Sequence, residues 1–294
     1  MQAPAPPSSN RAAETALLKQ TRLIAELRRL GSVIIALSGG ADSAYLAWAA
    51  HLALGGRALS VTAISASFSA YDREQVEAFG RATGVQHQFI ETQELADPRY
   101  AANNTERCYF CKDELFTVLD HLAAERGFAA VAYGINADDT LDFRPGHRSA
   151  SEHSVLSPLL DVGLTKIEIR ELSRCAGLPT WDRPASACLA SRIPFGEKVT
   201  RENLGQVERG EAILRELGFR QFRLRHHGTL ARIEIDQEEL PRALEARMAA
   251  TLAIRLKQVG YRYVTLDLEG YRQGSLNPLS RINPVQARRD SSSS

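Results

Sequence analysis

The chain has 294 residues, 44% of them hydrophobic and 24% charged, which is ordinary globular usage and enough length for two domains. Lys and Arg total 36 against 35 Asp and Glu, a net charge of +1. That balance excludes a whole-surface electrostatic grip on nucleic acid or an anionic membrane and leaves room only for a local basic patch.

Residues 1–12 carry Pro4, Pro6, Pro7, Ser8 and Ser9 and little to bury, so disorder is expected there. They lack the basic-then-apolar pattern of a secretory signal, and no apolar run reaches membrane-spanning length. A cytoplasmic location with reduced thiols is therefore expected, not a disulfide framework. Leu17, Leu18, Ile24, Leu27 and Leu30 recur at helical spacing. The β-branched run 33–37 then reads as a strand buried on both faces. Helix 43–54, strand 59–64, helix 72–83, strand 88–91, helix 112–126 and strand 129–133 follow. Helix 165–176 has Thr165 as its N-cap and is stopped by Gly177 and Pro179. Such alternation predicts a parallel sheet with right-handed crossovers, and ligands bind beyond the carboxyl ends of its strands. After residue 184 the pattern changes to helix 202–217, strands 219–226 and 231–236 around a Gly228 turn, helices over 238–259 and a strand at 263–268. The predicted organisation is an α/β domain over 13–184, a smaller α+β domain over 185–282 and a flexible tail over 283–294.

Ser38-Gly39-Gly40-Ala41-Asp42-Ser43 directly follows the first buried strand and opens a helix. Glycines there let the backbone approach a ligand, and the helix N-terminus favours an anion. Asp42 would either cap the helix or sit beside a Mg²⁺ that screens it. The plain alternative is a strand-helix turn with an Asx cap and no ligand. Neither a Walker loop nor a G-x-G-x-x-G occurs here.

The four cysteines divide. Cys175 shares helical spacing with Ile169 and Leu172 and reads as core filler. Cys108 and Cys111, in Arg107-Cys108-Tyr109-Phe110-Cys111-Lys112, have the spacing of a metal, cluster or redox pair, with two bystander thiols as the alternative. Arg107 and Lys112 would favour thiolate. Cys188 lies in a Pro-bounded loop, Pro184 to Pro194, where Arg192 would favour thiolate; a buried structural cysteine is the alternative. Three thiols suit a cluster with one open iron better than a closed zinc site. In 222–227, alternation puts Phe222 and Leu224 on one strand face and Arg223 and Arg225 on the other. Two adjacent guanidiniums invite a carboxylate or phosphate. The plain reading is a solvated face with Arg232, Glu234 and Asp236 as cross-strand partners.

The loop string S-G-G-x-D-S resembles that of the PP-loop ATP pyrophosphatases, an adenine nucleotide alpha hydrolase-like fold. The resemblance implies ATP binding by Ser38, Gly39, Gly40, Asp42 and Ser43. Ser65, at the end of the second strand, would lie near the base, and Gly134 would pass close to the nucleotide. Lys166, in Thr165-Lys166-Ile167-Glu168-Ile169-Arg170, would reach phosphate; a surface lysine is the alternative. The narrower resemblance rests on several strings together: R-C-Y-x-C-K at 107–112, G-x-N-x-D-D at 134–139, P-x-x-A-C-L-A-S-R-I-P at 184–194, the paired arginines, and D-L-E-G-Y-R-x-G-S-L-N at 267–277. These are similar to LarE, the ATP-dependent sulfur transferases of nickel-pincer nucleotide cofactor synthesis, over roughly 17–277.

That resemblance implies conversion of the carboxylates of pyridinium-3,5-biscarboxylic acid mononucleotide to thiocarboxylates, with ATP and Mg²⁺. It implies Cys188 as the catalytic thiol and Arg192, Arg223 and Arg225 as substrate-binding groups. It also implies a homo-oligomer, a hexamer among the forms, with no nucleic-acid or membrane partner. Some members sacrifice the sulfur of the A-C-L-A-S-R cysteine; others hold a [4Fe-4S] cluster on three cysteines. Cys108 and Cys111 favour the cluster type, with Cys188 as third ligand. Other readings are tRNA thiolation, which calls for a basic surface, a non-catalytic ATP or metal sensor, and an amide synthetase, which gives Cys188 no role.

Overall fold

The computed structural model describes residues 9–141, 145–184 and 187–272. They form two compact units. One comprises the chain up to Tyr100 and Thr105–Ser186; the other comprises Ala101–Asn104 and the chain from Ala187. The sequence strings at 273–277, the tail over 283–294 and most of 1–12 lie outside the described residues.

In the first unit, helix α1 (Ser9–Leu30) leads into strand β1 (Val33–Ala36). Helix α2 (Ala41–Leu54), strand β2 (Ala58–Ile64), helix α3 (Ala70–Thr83) and strand β3 (His87–Glu91) follow. Next come α4 (Pro98–Ala101), α5 (Arg107–Arg126), β4 (Val131–Tyr133), α6 (Pro145–Glu152), α7 (Pro158–Asp161) and α8 (Lys166–Cys175). Among the described residues, four strands make one parallel sheet in the order β3-β2-β1-β4.

Every residue of β1 is buried, because both faces of the sheet are covered. Val33, Ile35 and Leu37 pack with Leu23 and Leu27 of α1, Leu46 of α2 and Ile169 and Leu172 of α8. Ile34 and Ala36 point the other way, to Leu59, Val61, Val131 and to Phe116 and Leu119 of α5. Each Val, Leu, Ile or Phe side chain among these contributes about 1.5–3 kcal/mol when fully buried. The chain leaves β1 towards β2 on one side and returns to β4 on the other. This reversal makes the crevice beyond β1 the natural ligand position.

In the second unit, helix α9 (Arg201–Glu216) precedes the antiparallel hairpin β5 (Phe222–His227) and β6 (Leu230–Ile235). Helices α10 (Leu240–Leu244) and α11 (Ala246–Gln258) then carry the chain to β7 (Tyr263–Leu266), which pairs parallel to β6. Gly228 makes the hairpin turn with φ +58°. Gly210 of α9 presses on β5: a Cβ there would meet Leu224 Cδ1 at 2.5 Å.

Several expectations need correction. Helix α1 starts at Ser9, inside the segment expected to be disordered. The helices expected over 238–259 are α10 and α11, parted at Glu245, whose ψ is 132°. Helix α5 begins at Arg107, so Cys108 and Cys111 occupy its first turn and not a preceding loop. Cys175 is exposed, not core filler. The buried face of α8 is set by Ile169, Leu172 and Ser173; at about 100° per residue, Cys175 falls well off that stripe, and Ala176 packs against the core in its place. The Cys175 thiol points to Glu171 Oε1 at 3.6 Å.

Candidate functional site

The loop after β1 is held from within. Thr62 of β2 donates to the Leu37 carbonyl at 2.6 Å, and His87 of β3 lies 2.9 Å from the same hydroxyl. Ser43 Oγ accepts from Ser38 N–H at 3.2 Å, contacts Ser38 Oγ at 3.0 Å and donates to the Gly40 carbonyl at 3.1 Å. Gly39 sits at φ +79°, where a Cβ would also come within 2.9 Å of Val76 Cγ2. Gly40 is the N-cap of α2, and no described side chain caps it. The amino end of α2 is therefore left facing a potential anion.

Asp42 does not cap the helix. Its Oδ2 accepts from Lys166 Nζ at 2.7 Å and from Asn136 Nδ2 at 3.3 Å, while Oδ1 is buried with no hydrogen-bond partner among the described residues. A buried, unpaired carboxylate oxygen beside an anion site fits a divalent cation such as Mg²⁺. Lys166 is thus tied to Asp42, and its backbone N–H donates to Asp138 Oδ2 at 2.7 Å. Thr165 is the N-cap its sequence predicts; in addition it forms a capping box with Glu168, which Lys19 clamps at 2.7 Å.

Gly134 has a reason within the fold itself. A Cβ there would lie 2.6 Å from Ser43 N and 2.7 Å from Ser43 Cα. The glycine is required by the loop's own backbone. Arg183 was not legible as a site residue. It donates to the Gly39 carbonyl at 2.7 Å and pairs with Asp72 in the first turn of α3. No motif or spacing singles it out, since its partners lie more than a hundred residues away.

Cys108 is exposed and Cys111 half-buried, one helical turn apart on α5. Arg107 is buried, and Lys112 lies over the Phe116 ring at 5.6 Å. Helix α6 braces this turn. Gly146 packs against it, with a Cβ there 3.0 Å from Lys112 Cγ. Tyr109 donates to Glu152 at 2.6 Å, Arg148 reaches Glu106 at 3.1 Å, and its guanidinium stacks 4.1 Å from the Tyr109 ring. His153 sits between Asp120 at 2.7 Å and Asp113 at 3.1 Å. Burial opposes its charge, but the two carboxylates outweigh burial and raise its pKa.

Cys188, in the second unit, is exposed and is not a buried structural thiol. It precedes the 3₁₀ turn Leu189–Arg192, whose Leu189 and Ala190 are buried. Arg192 is buried and donates to the carbonyls of Ala187 at 2.6 Å and Cys188 at 3.1 Å. It also grips Glu211 of α9 at 2.8 and 3.1 Å. Burial raises the Glu211 pKa, but Arg192 and the other partners more than offset it, so the carboxylate is held below its usual range. Arg192 thus shapes the backbone around Cys188.

The expectation of two open guanidiniums on β5 also changes. Arg225 is buried and paired with the fully buried Glu234 at 2.7 Å; it donates to the Ser191 carbonyl at 3.1 Å. Arg232 shares Glu234 and reaches Asp267 at 3.0 Å. Arg223 is half-buried and lies over the Tyr271 ring at 5.0 Å. Its pKa is lowered by burial first and then by the positive charge of Arg192 and, after it, Arg225. Arg192 and Arg225 are each paired with a buried glutamate, and Arg223 is the guanidinium of the three that is placed to meet an anion.

None of the four cysteines is in a disulfide. Among the described residues no three His, Cys, Asp or Glu side chains are gathered as a metal site. Cys108 and Cys111 stand one turn apart on α5 of the first unit, and Cys188 stands on a loop of the second.

No family model matches the chain. It is 42% identical over 248 residues to the uncharacterized protein slr1717 of Synechocystis, covering 84% of this chain and 92% of that protein. It is 33% identical over 270 residues to pyridinium-3,5-bisthiocarboxylic acid mononucleotide synthase of Lactiplantibacillus plantarum, covering 90% of this chain and 95% of that enzyme. The chain belongs to the LarE family, that of this synthase. The second match is long enough that both units of the LarE-family chain share in it. A shorter likeness, 30% over 170 residues, is to the uncharacterized protein MJ0830 of Methanocaldococcus jannaschii, with 58% of this chain covered.

Proposed function

We propose that the chain is an ATP-dependent sulfur transferase that converts the carboxylates of pyridinium-3,5-biscarboxylic acid mononucleotide to thiocarboxylates. The observation that carries this reading is the near full-length match to the synthase of that thiocarboxylate. The uncapped loop at 38–43 and the exposed Cys188 supply it with chemistry.

A carboxylate resists nucleophilic attack, so it is activated first. A substrate carboxylate oxygen attacks the α-phosphorus of ATP, the α–β bridge bond breaks, and pyrophosphate leaves on the amino end of α2. Ser38, Gly39, Gly40 and Ser43 hold the departing phosphates, and Ser65 and Gly134 line the nucleotide side. The orphan Oδ1 of Asp42 would hold a Mg²⁺, which would offset the charge on the leaving phosphates, and Lys166 is near enough to Asp42 to turn towards phosphate. A sulfur nucleophile then attacks the acyl carbon and AMP leaves. Arg223 receives the substrate's phosphate or carboxylate; Arg225 and Arg192 orient it and the Cys188 loop.

The sulfur has two possible sources. In one, the Cys188 thiolate attacks; loss of its α-proton with cleavage of its Cβ–S bond then leaves dehydroalanine and the thiocarboxylate. In the other, Cys108, Cys111 and Cys188 would hold a [4Fe-4S] cluster, which would supply the sulfur at the sulfide level. The cysteine pair at the start of α5, with Cys108 exposed, favours the second. The enzyme is read as a cytoplasmic homo-oligomer; among the described residues no helix is long and apolar enough to cross a membrane.

Single-turnover release of pyrophosphate and AMP that requires the biscarboxylate mononucleotide tests the activation step. Cys108→Ala separates the sulfur sources: full single-turnover transfer without bound iron rules out the cluster.

A further inference from the structure

Ser65 lies just past β2, half-buried at the carboxyl edge of the sheet. Its Oγ lies 3.0 Å from Ser67 Oγ and accepts the Ser67 N–H at 3.2 Å. Ser67 is buried and donates its hydroxyl proton to Glu94 Oε1 at 3.0 Å. Glu94 is also buried, in the 3₁₀ turn Glu94–Ala96 after β3, and its other oxygen takes the Thr92 hydroxyl at 3.0 Å.

A serine hydroxyl has one proton and two lone pairs. The Ser67 proton goes to Glu94, so in the Ser65–Ser67 contact Ser67 accepts and Ser65 donates. The Ser65 proton is thereby turned inward, and one of its lone pairs already takes the Ser67 N–H. What Ser65 has left for a ligand is a lone pair. The direction of the whole chain is set by Glu94, two residues removed from any ligand contact.

We infer that Glu94, acting through Ser67, fixes Ser65 as a hydrogen-bond acceptor that selects adenine over guanine. This rests on the proposed binding of ATP with its base at the end of β2. Adenine carries a 6-amino donor where guanine carries a carbonyl. A carbonyl facing the Ser65 lone pair leaves two acceptors unpaired, which a half-buried site penalises. Ser65 is the contact; Ser67 and Glu94 are positioning residues.

Equilibrium binding of ATP and GTP to the full chain, by competition with a fluorescent ATP analogue, tests this. The wild type is expected to prefer ATP by roughly tenfold or more. Ser67→Ala frees the Ser65 proton for the ligand, so GTP binds more tightly and the ratio falls by roughly three- to tenfold. Ser65→Ala collapses the ratio as well. Ser67→Ala/Glu94→Gln removes the buried charge and keeps the test readable should the single variant not fold. An ATP:GTP ratio near one in the wild type, or unchanged in the folded variants, overturns the inference. So does a loss of 2′-deoxy-ATP binding relative to ATP that Ser65→Ala abolishes while the ATP:GTP ratio holds, because Ser65 then contacts the ribose. ATP preference without pyrophosphate release counts against the sulfur-transfer reading and leaves this assignment standing. Failure of any nucleotide to bind overturns both.

Discussion

Gly134 and Ser43 touch backbone to backbone: a Cβ on Gly134 would come 2.6 Å from the Ser43 nitrogen. The end of β4 is thereby pressed onto the first turn of α2. Gly134→Ala must push Ser43 and Asp42 aside. It is expected to destabilise the first unit by about 1–3 kcal/mol and to weaken ATP binding more than that loss of stability explains. Thermal unfolding alongside ATP titration checks both.

Arg183 ties the Gly39 carbonyl to Asp72. Arg183→Ala removes both contacts and leaves Gly39 free to turn. A charge-assisted hydrogen bond contributes about 1.5–3 kcal/mol, so the KM for ATP should rise by about tenfold or more. Arg183→Lys keeps one contact and should recover part of the loss. Steady-state pyrophosphate release reads the split between KM and kcat.

His153 carries a pH signature. Its folded pKa is raised above the ordinary value of about 6.5. The stability it adds is therefore fully present below that ordinary value and is lost as pH rises through the folded pKa. The difference in melting temperature between wild type and His153→Asn should be larger at acid pH than at alkaline pH. A constant difference would mean that the bridge to Asp113 and Asp120 carries no charge.

Arg192 and Glu211 form a buried pair. Arg192→Met leaves Glu211 buried and uncompensated, a loss of about 3–5 kcal/mol. Arg192→Met/Glu211→Leu should recover much of that stability. It should not recover sulfur transfer, because Arg192 also holds the carbonyls of Ala187 and Cys188. Urea unfolding and a transfer assay on both variants separate the two effects.

The parts of this fold that were legible in the sequence are those written locally. The all-apolar run at β1, the glycine loop behind it and the Thr165 cap each depend on neighbours within a few residues. What was not legible depends on distant register or helical phase. Cys175 has apolar neighbours at helical spacing, but the buried stripe of α8 passes it by. Pairing of Arg225 with Glu234 was visible only as an alternative to an open site; burial of both decides it. Asn103 gives no signal at all. It is buried at φ +55° and donates to the carbonyls of Ile193, Pro194 and Glu197, some ninety residues on, which assigns 101–104 to the second unit.

The central claim is that this chain moves sulfur onto an ATP-activated carboxylate through Cys188. Its most direct test is mass spectrometry of pyridinium-3,5-biscarboxylic acid mononucleotide after anaerobic incubation with ATP, Mg²⁺ and the purified protein. The account predicts exchange of carboxylate oxygen for sulfur, strictly dependent on ATP and absent with Cys188→Ala. Sulfur incorporation by Cys188→Ala, or an unaltered substrate with active wild type that binds ATP, would contradict it.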